Sequence, residues 1–118
     1  METNKQAFLR KMNEAFANSD VDFILNAVTE DIHWTIVGDK IIQGKEQFAS
    51  SLQEMASPEP MKLEIRHLIT HGKEAVVEGS MITPDGKTYS FCDIYQFNGF
   101  KNPQIREMTS YVFEVIDR

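Results

Sequence analysis

The stretch that decides the fold is residues 89–114, YSFCDIYQFNGFKNPQIREMTSYVFE. Two apolar runs flank an irregular loop, which predicts two long antiparallel strands. Residues of a strand alternate between its faces, so Phe91, Asp93 and Tyr95 share one face. A carboxylate placed among aromatic side chains loses its hydration unless a hydrogen-bond donor replaces the water. Asp93 therefore indicates either a cavity in which the acid has a function or a face that is less buried than its aromatics suggest.

The composition is that of one soluble globular domain spanning residues 1–118. Hydrophobic residues make up 42% of the chain and charged residues 25%, both ordinary values. The net charge of -6, without a cluster of Lys and Arg, argues against a nucleic-acid partner. Cys92 is the one cysteine, which excludes an internal disulfide and fits a reducing compartment. The polar N-terminus and the absence of a long apolar run predict no membrane segment, so the cytoplasm is the expected location.

The regions upstream of this stretch predict helices first and strands later. Asn4 is expected to cap the first helix, and Ser19 with Asp22 has capping-box spacing before the second. A third helix is predicted over Lys45–Ala56. Strands are predicted over residues 31–37, 41–43, 62–70, 74–82, 87–98 and 104–116. Helices followed by a run of hairpins predict an α+β fold, in which three helices pack against one face of a curved, mostly antiparallel sheet.

Four motifs follow one another in this order: TEDIHWTIVG at residues 29–38, IQGKE at 42–46, CDIYQFNG at 92–99 and IREMTSY at 105–111. Together with the order of elements, they resemble the nuclear transport factor 2-like superfamily, and within it the SnoaL-like and ketosteroid-isomerase-like branch. The resemblance implies a cone-shaped sheet around a pocket, commonly dimerised through the outer sheet face. Members include isomerases, cyclases, dehydratases, hydrolases and binding modules, so the fold does not define the function.

The isomerases of this branch match the chain at one of three functional positions. They have a carboxylic acid on the strand before the last, and Asp93 occupies that position. Their general base matches Thr35 and their oxyanion-donor tyrosine matches Met12, and neither residue can do that work. The resemblance therefore does not predict a true ketosteroid isomerase.

Asp93 and His33 are the candidate catalytic residues. Burial among aromatics raises the pKa of a carboxyl group, so Asp93 is a candidate general base or neutral donor near pH 7. The alternative is an Asp that is hydrogen-bonded to a Tyr or His and has no further role. His33 is a candidate because histidine titrates near neutral pH, although a lone histidine is more often structural.

The predicted pocket is lined by residues from the first helix and three strands. His33 and Thr35 share one face of the first strand, which is expected to be the pocket face, and Trp34 is expected to point away. In the last strand Met108, Ser110 and Val112 share one face, and the resemblance implies that this face lines the pocket. Ordinary core packing is the alternative for Met108 and Ser110. The complete predicted lining is Phe8, Met12, Phe16, Thr35, Phe91, Tyr95, Met108 and Ser110.

The outer face of the sheet is the predicted partner surface. Ile94, Tyr111 and Phe113 would form an exposed apolar patch there, for which a homodimer is the simplest explanation. No metal site is predicted, because His67 and His71 lie in a strand-and-turn region without neighbouring ligands.

Three hypotheses for function follow. The first is a small-molecule pocket protein that catalyses cofactor-free proton transfer on a largely apolar substrate, with Asp93 as acid or base. The second is a non-catalytic module that binds a metabolite in the same pocket. The third is a structural dimer whose pocket is filled by side chains.

Overall fold

The helices and the sheet follow the order that the sequence predicts. The structure is a computed structural model that describes residues 2–101 and 103–116. Over these residues the chain forms three helices and six strands: α1 (Asn4–Asn18), α2 (Val21–Asn26), β1 (Val28–Ile36), β2 (Lys40–Gln43), α3 (Lys45–Met55), β3 (Lys62–His71), β4 (Glu74–Ile82), β5 (Thr88–Phe97) and β6 (Ile105–Glu114). None of these helices is long and apolar enough to span a bilayer.

The six strands form one open sheet in the order β2-β1-β6-β5-β4-β3. Every neighbouring pair is antiparallel except β1 and β6, which are parallel. The predicted α+β class with a mostly antiparallel sheet is thus confirmed. β1 begins at Val28 rather than at Asp31, because Val28 already pairs with Ile105 of β6.

The sheet bends where its register shifts. One shift lies between Ile65 and His67 in β3, opposite β4, and such bulges increase local twist. Gly79 pairs with Ile65 at this point, and a Cβ at Gly79 would overlap the carbonyl oxygen of Glu64. The curvature of this part of the sheet therefore depends on a residue without a side chain.

The first two helices begin one residue away from their predicted caps. Thr3 rather than Asn4 is the N-cap of α1, where it forms a capping box with Gln6. Asp20 rather than Ser19 caps α2, and its side chain accepts from the backbone N–H of Phe23. Ser19 instead ends α1 in a left-handed conformation. Adjacent residues can each cap a helix at both positions, and the local spacing does not show which of them is the N-cap.

The main core lies between the helices and the inner face of the sheet. Its fully buried side chains include Leu9 and Met12 of α1, Phe48 of α3, and Phe97 and Ile105 of the sheet. The helices do not fill the space along β5 and β6, and a cavity remains there.

Candidate functional site

A cavity of about 550 Å³ opens between the inner face of the sheet and the helices. Its wall is mostly apolar, with Phe16, Ile24, Leu52, Phe91 and Met108 among the lining residues. The exposed side chains of the lining, which mark the open side, include Val37, Met55 and Val112. The volume lies within the range typical of small-molecule sites.

Asp93 is an acidic group in this apolar wall. It lies in β5 on the same face as Phe91 and Tyr95, opposite Ser110 of β6 and the fully buried Val77 of β4. Burial raises the pKa of its carboxyl group from 3.8 to about 6, because apolar surroundings disfavour the charged form. Hydrogen bonds from Ser110 and Tyr95 act in the opposite direction, but burial is the larger effect.

Tyr95 and Asn13 support the carboxyl group from one side. The Tyr95 hydroxyl donates to Oδ2 of Asp93 at 3.3 Å and accepts from Nδ2 of Asn13 at 3.2 Å. Nδ2 of Asn13 also donates to the carbonyl oxygen of Leu9 at 2.9 Å. Burial raises the pKa of the Tyr95 hydroxyl well above 10, and the nearby Asp93 charge raises it further. Tyr95 therefore stays protonated and acts as a fixed donor.

Ser110 and Trp34 support the carboxyl group from the other side. Nε1 of Trp34 donates to Oγ of Ser110 at 2.9 Å, and the Ser110 hydroxyl, directly opposite Asp93 in the sheet, lowers the pKa of that carboxyl group. The indole ring packs edge-on against Phe16 and Phe48, with centroids 5.7 and 5.5 Å away. One chain of hydrogen bonds thus ends on the Asp93 carboxyl group, and a second places the Ser110 hydroxyl beside it.

The structure brings five of the predicted site residues together around the cavity: Phe16, Phe91, Asp93, Met108 and Ser110. The other predicted residues of these elements lie outside the lining. Tyr95 and Met12 are fully buried, and Tyr95 reaches the site only through its hydroxyl group. Phe8 packs against Phe23 and Phe97 at 6.2 and 6.1 Å between ring centroids.

The prediction of which β1 side chains face the cavity was wrong. Trp34 is opposite Met108 of β6 and lines the cavity, so His33 and Thr35 lie on the outer face of the sheet. The cause is the burial of the large Trp34 ring against the helices, which fixes the phase of the alternation. The sheet therefore separates His33 and Thr35 from Asp93.

His33 borders a second, polar depression. Asp31, Gln43, Arg106 and Glu107 line it as well. Nε2 of His33 is buried there and has no hydrogen-bond partner within residues 2–101 and 103–116. This depression opens on the face opposite the cavity and contributes no group to the Asp93 site.

A family model described as the SnoaL-like domain matches residues 9–108. The chain belongs to the SnoaL-like domain family. Among curated proteins, no sequence matches it.

Solved structures agree with this SnoaL-like assignment. A nuclear transport factor 2-like protein of unknown function from Cytophaga hutchinsonii is 26% identical, with a TM-score of 0.66 over 92% of this chain and 98% of that chain. A proposed SnoaL-like polyketide cyclase from Shewanella denitrificans is 12% identical, with a TM-score of 0.81 over 95% and 92% of the two chains. A proposed ketosteroid isomerase from Kribbella flavida is 15% identical, with a TM-score of 0.76 over 96% and 80%. The last two likenesses show the fold alone.

Two lining residues that support Asp93 through hydrogen bonds were missed by the sequence analysis of this SnoaL-like domain. Trp34 was assigned to the other face, and Asn13 was not considered. Asn13 is 1% exposed and lies at helical spacing from Leu9 and Phe16, within the apolar stripe of α1. A polar residue in an apolar stripe needs a buried partner, and this signal would have identified Asn13.

Proposed function

We propose that this SnoaL-like domain binds a largely apolar small molecule in the cavity and transfers a proton to or from it through Asp93. The chemistry is of the cofactor-free isomerase or cyclase type, in keeping with what the names of the Kribbella and Shewanella proteins suggest for those proteins. The observation that supports this proposal best is a half-buried carboxyl group with a pKa of about 6 in the wall of an apolar cavity.

This pKa suits acid–base catalysis. At pH 7 a carboxyl group with a pKa of about 6 is roughly 90% ionised, so Asp93 is available as a base. Its conjugate acid is strong enough to return the proton to another atom of the substrate. Because Tyr95 donates to Asp93 and the Ser110 hydroxyl beside it favours the ionised form, the carboxylate is held in place before a substrate arrives.

A probe that needs only a positioned base tests this function. In 5-nitrobenzisoxazole, removal of one C–H proton breaks the ring N–O bond and gives a coloured nitrophenolate with a nitrile group. The proton would pass to the Asp93 carboxylate, and its return to water would regenerate the base. We expect turnover that rises with pH around a midpoint near 6 and is lost in Asp93→Asn.

Asp85→Asn is the matched control. Asp85 lies in the turn between β4 and β5, outside the cavity, so this variant should retain wild-type turnover. Equal rates in wild type and Asp93→Asn would contradict the proposal. Binding of the probe without turnover, detected through the fluorescence of Trp34, would also contradict it.

A non-catalytic binding module is the second candidate. It is favoured by the absence, within the described residues, of a second group beside Asp93 that titrates near neutral pH. Tyr95 remains protonated, and the other acidic lining residue, Asp39, lies in the exposed turn after β1. The third hypothesis was a pocket filled by side chains. The open cavity of about 550 Å³ beside Asp93 argues against it.

We also propose that the protein forms a homodimer through the outer sheet face. Ile94, Tyr111 and Phe113 are 39%, 38% and 66% exposed there, and exposed apolar groups on neighbouring strands favour association. Phe113 lies on the opposite face from the cavity-lining Val112. Association through this face would therefore leave the cavity open.

A further inference from the structure

The hydrogen-bond donors beside Asp93 already face protein acceptors, and this limits what the Asp93 end of the cavity can recognise. We propose that the ligand of this site donates a hydrogen bond to Asp93, from a hydroxyl or amine group, and has no negative charge. The inference rests on the proposed use of the cavity as a ligand site. It does not require catalysis.

The first committed donors are those of Trp34 and Ser110. The indole has one N–H group, and it donates to Oγ of Ser110 at 2.9 Å. The Ser110 hydroxyl has one hydrogen and lies directly across the sheet from the Asp93 carboxylate, a charged acceptor. Trp34 therefore has no further donor for a ligand, and the Ser110 hydrogen has a charged protein acceptor beside it.

The remaining donors near the acid are those of Asn13 and Tyr95. The two amide hydrogens of Asn13 go to the Leu9 carbonyl oxygen and to the Tyr95 hydroxyl, and Tyr95 donates its own hydrogen to Asp93. The orientation of the Asn13 amide is fixed, because a carbonyl oxygen can only accept. Oδ1 of Asn13 is therefore an acceptor, and no donor within the described residues bonds to it.

The ionised carboxylate itself has spare acceptor capacity. Two oxygens offer about four acceptor sites, and the protein supplies one hydrogen bond, from Tyr95, with the Ser110 hydroxyl as a second donor nearby. Above its pKa, the Asp93 end of the cavity therefore presents acceptors only. A ligand hydroxyl or ammonium group satisfies them, whereas an ether or carbonyl oxygen finds no donor there.

The charges of the lining residues also favour a ligand without negative charge. Among the described lining residues there is no Lys, Arg or His, and the two charged side chains are both carboxylates, Asp93 and Asp39. An anionic ligand would lose its hydration in an apolar cavity and face like charge there. Carboxylate and phosphate ligands are therefore disfavoured both by the cost of desolvation and by repulsion from the two carboxylates.

This arrangement also restricts the proton-transfer chemistry. When Asp93 removes a proton, negative charge develops on the substrate, and catalysis usually requires donors aimed at that charge. The donors beside Asp93 are occupied, so the substrate has to delocalise the charge within its own conjugated system. This requirement favours activated, conjugated substrates over simple ketones.

A series of adamantane derivatives with one cage and four head groups tests the inference. The compounds are 1-adamantanol, 1-methoxyadamantane, 1-adamantylamine and adamantane-1-carboxylate, titrated at pH 8, where Asp93 is ionised. Trp34 is the one tryptophan and lines the cavity, so its fluorescence reports binding. We expect the alcohol and the ammonium form to bind at least about tenfold more tightly than the ether, because a hydrogen bond to a charged acceptor is lost. The carboxylate should bind most weakly.

Asp93→Asn provides the second arm, with its folding checked by circular dichroism. An Asn amide both donates and accepts, so the difference between the alcohol and the ether should collapse and the advantage of the ammonium form should disappear. Equal affinities for alcohol and ether in the wild type, or tight binding of the carboxylate, would overturn the inference. Head-group selectivity, together with binding of the benzisoxazole but no turnover of it, would leave the inference standing and refute the catalytic proposal alone.

Discussion

Replacing Asp93 by Asn should stabilise the protein at alkaline pH while it abolishes proton transfer. The folded protein holds the Asp93 proton up to about pH 6, whereas the ordinary pKa of this group is 3.8. Between these values the folded state binds more protons than the unfolded state, so stability falls as the pH rises, and the loss is complete above about pH 7. Asn carries no charge and therefore avoids this cost.

The size of the effect follows from the two pKa values. The difference between 3.8 and about 6 corresponds to roughly 3 kcal/mol, at about 1.36 kcal/mol per pH unit. Asp93→Asn should therefore gain about 3 kcal/mol over the wild type at pH 8, which for a domain of this size is a rise in Tm on the order of 10 °C. Most of this advantage should be gone at pH 4.

Urea unfolding followed by Trp34 fluorescence at pH 4, 6 and 8 measures these differences. Asp85→Asn is a control for which the opposite change in stability is expected, because a hydrogen bond from Thr83 lowers the pKa of Asp85. That carboxylate stabilises the folded state above its ordinary pKa, and the contribution is lost as the pH falls. The control variant should therefore be less stable than the wild type at pH 8. Destabilisation of Asp93→Asn at pH 8, or a difference from the wild type that does not change with pH, would show that burial does not raise the pKa of Asp93.

Three further predictions concern the support of the acid, the outer face and the curvature of the sheet. Tyr95→Phe removes a donor that lowers the pKa of Asp93, so the midpoint of the pH–rate profile should move above its wild-type value; an unchanged midpoint would argue against that role. Phe113→Asp should convert the proposed dimer to a monomer in sedimentation velocity without affecting ligand binding, and an unchanged sedimentation coefficient would exclude this face. Gly79→Ala should cost about 2 kcal/mol or more in urea unfolding, because its Cβ would overlap the Glu64 carbonyl oxygen; wild-type stability would contradict this.

Local sequence patterns predicted the fold and the strand face that carries Asp93 and its neighbours in the cavity wall. The alternation in β6 placed Met108, Ser110 and Val112 on one face, and all three line the cavity. The position of Asp93 between Phe91 and Tyr95 was also sufficient to predict a raised pKa. Each of these inferences depends on neighbours along one strand, where the period of two is a reliable guide.

The features that were not predicted depend on contacts distant in sequence. Alternation shows that His33 and Trp34 lie on opposite faces, but it does not show which face is inside. That choice depends on the parallel pairing of β1 with β6 and on the fit of Trp34 against Phe48. The bond from Asn13 to Tyr95 joins residues 82 positions apart, and no local period indicates it.

The most direct test of the central claim is a titration of the Asp93 side-chain carboxyl carbon by NMR, with the assignment confirmed by its absence in Asp93→Asn. We expect a midpoint near pH 6, which should fall when 1-adamantylamine is bound, because a neighbouring cation favours the carboxylate. A midpoint near 3.8, or one that does not respond to the amine, would show that Asp93 is not the desolvated acid of a ligand cavity.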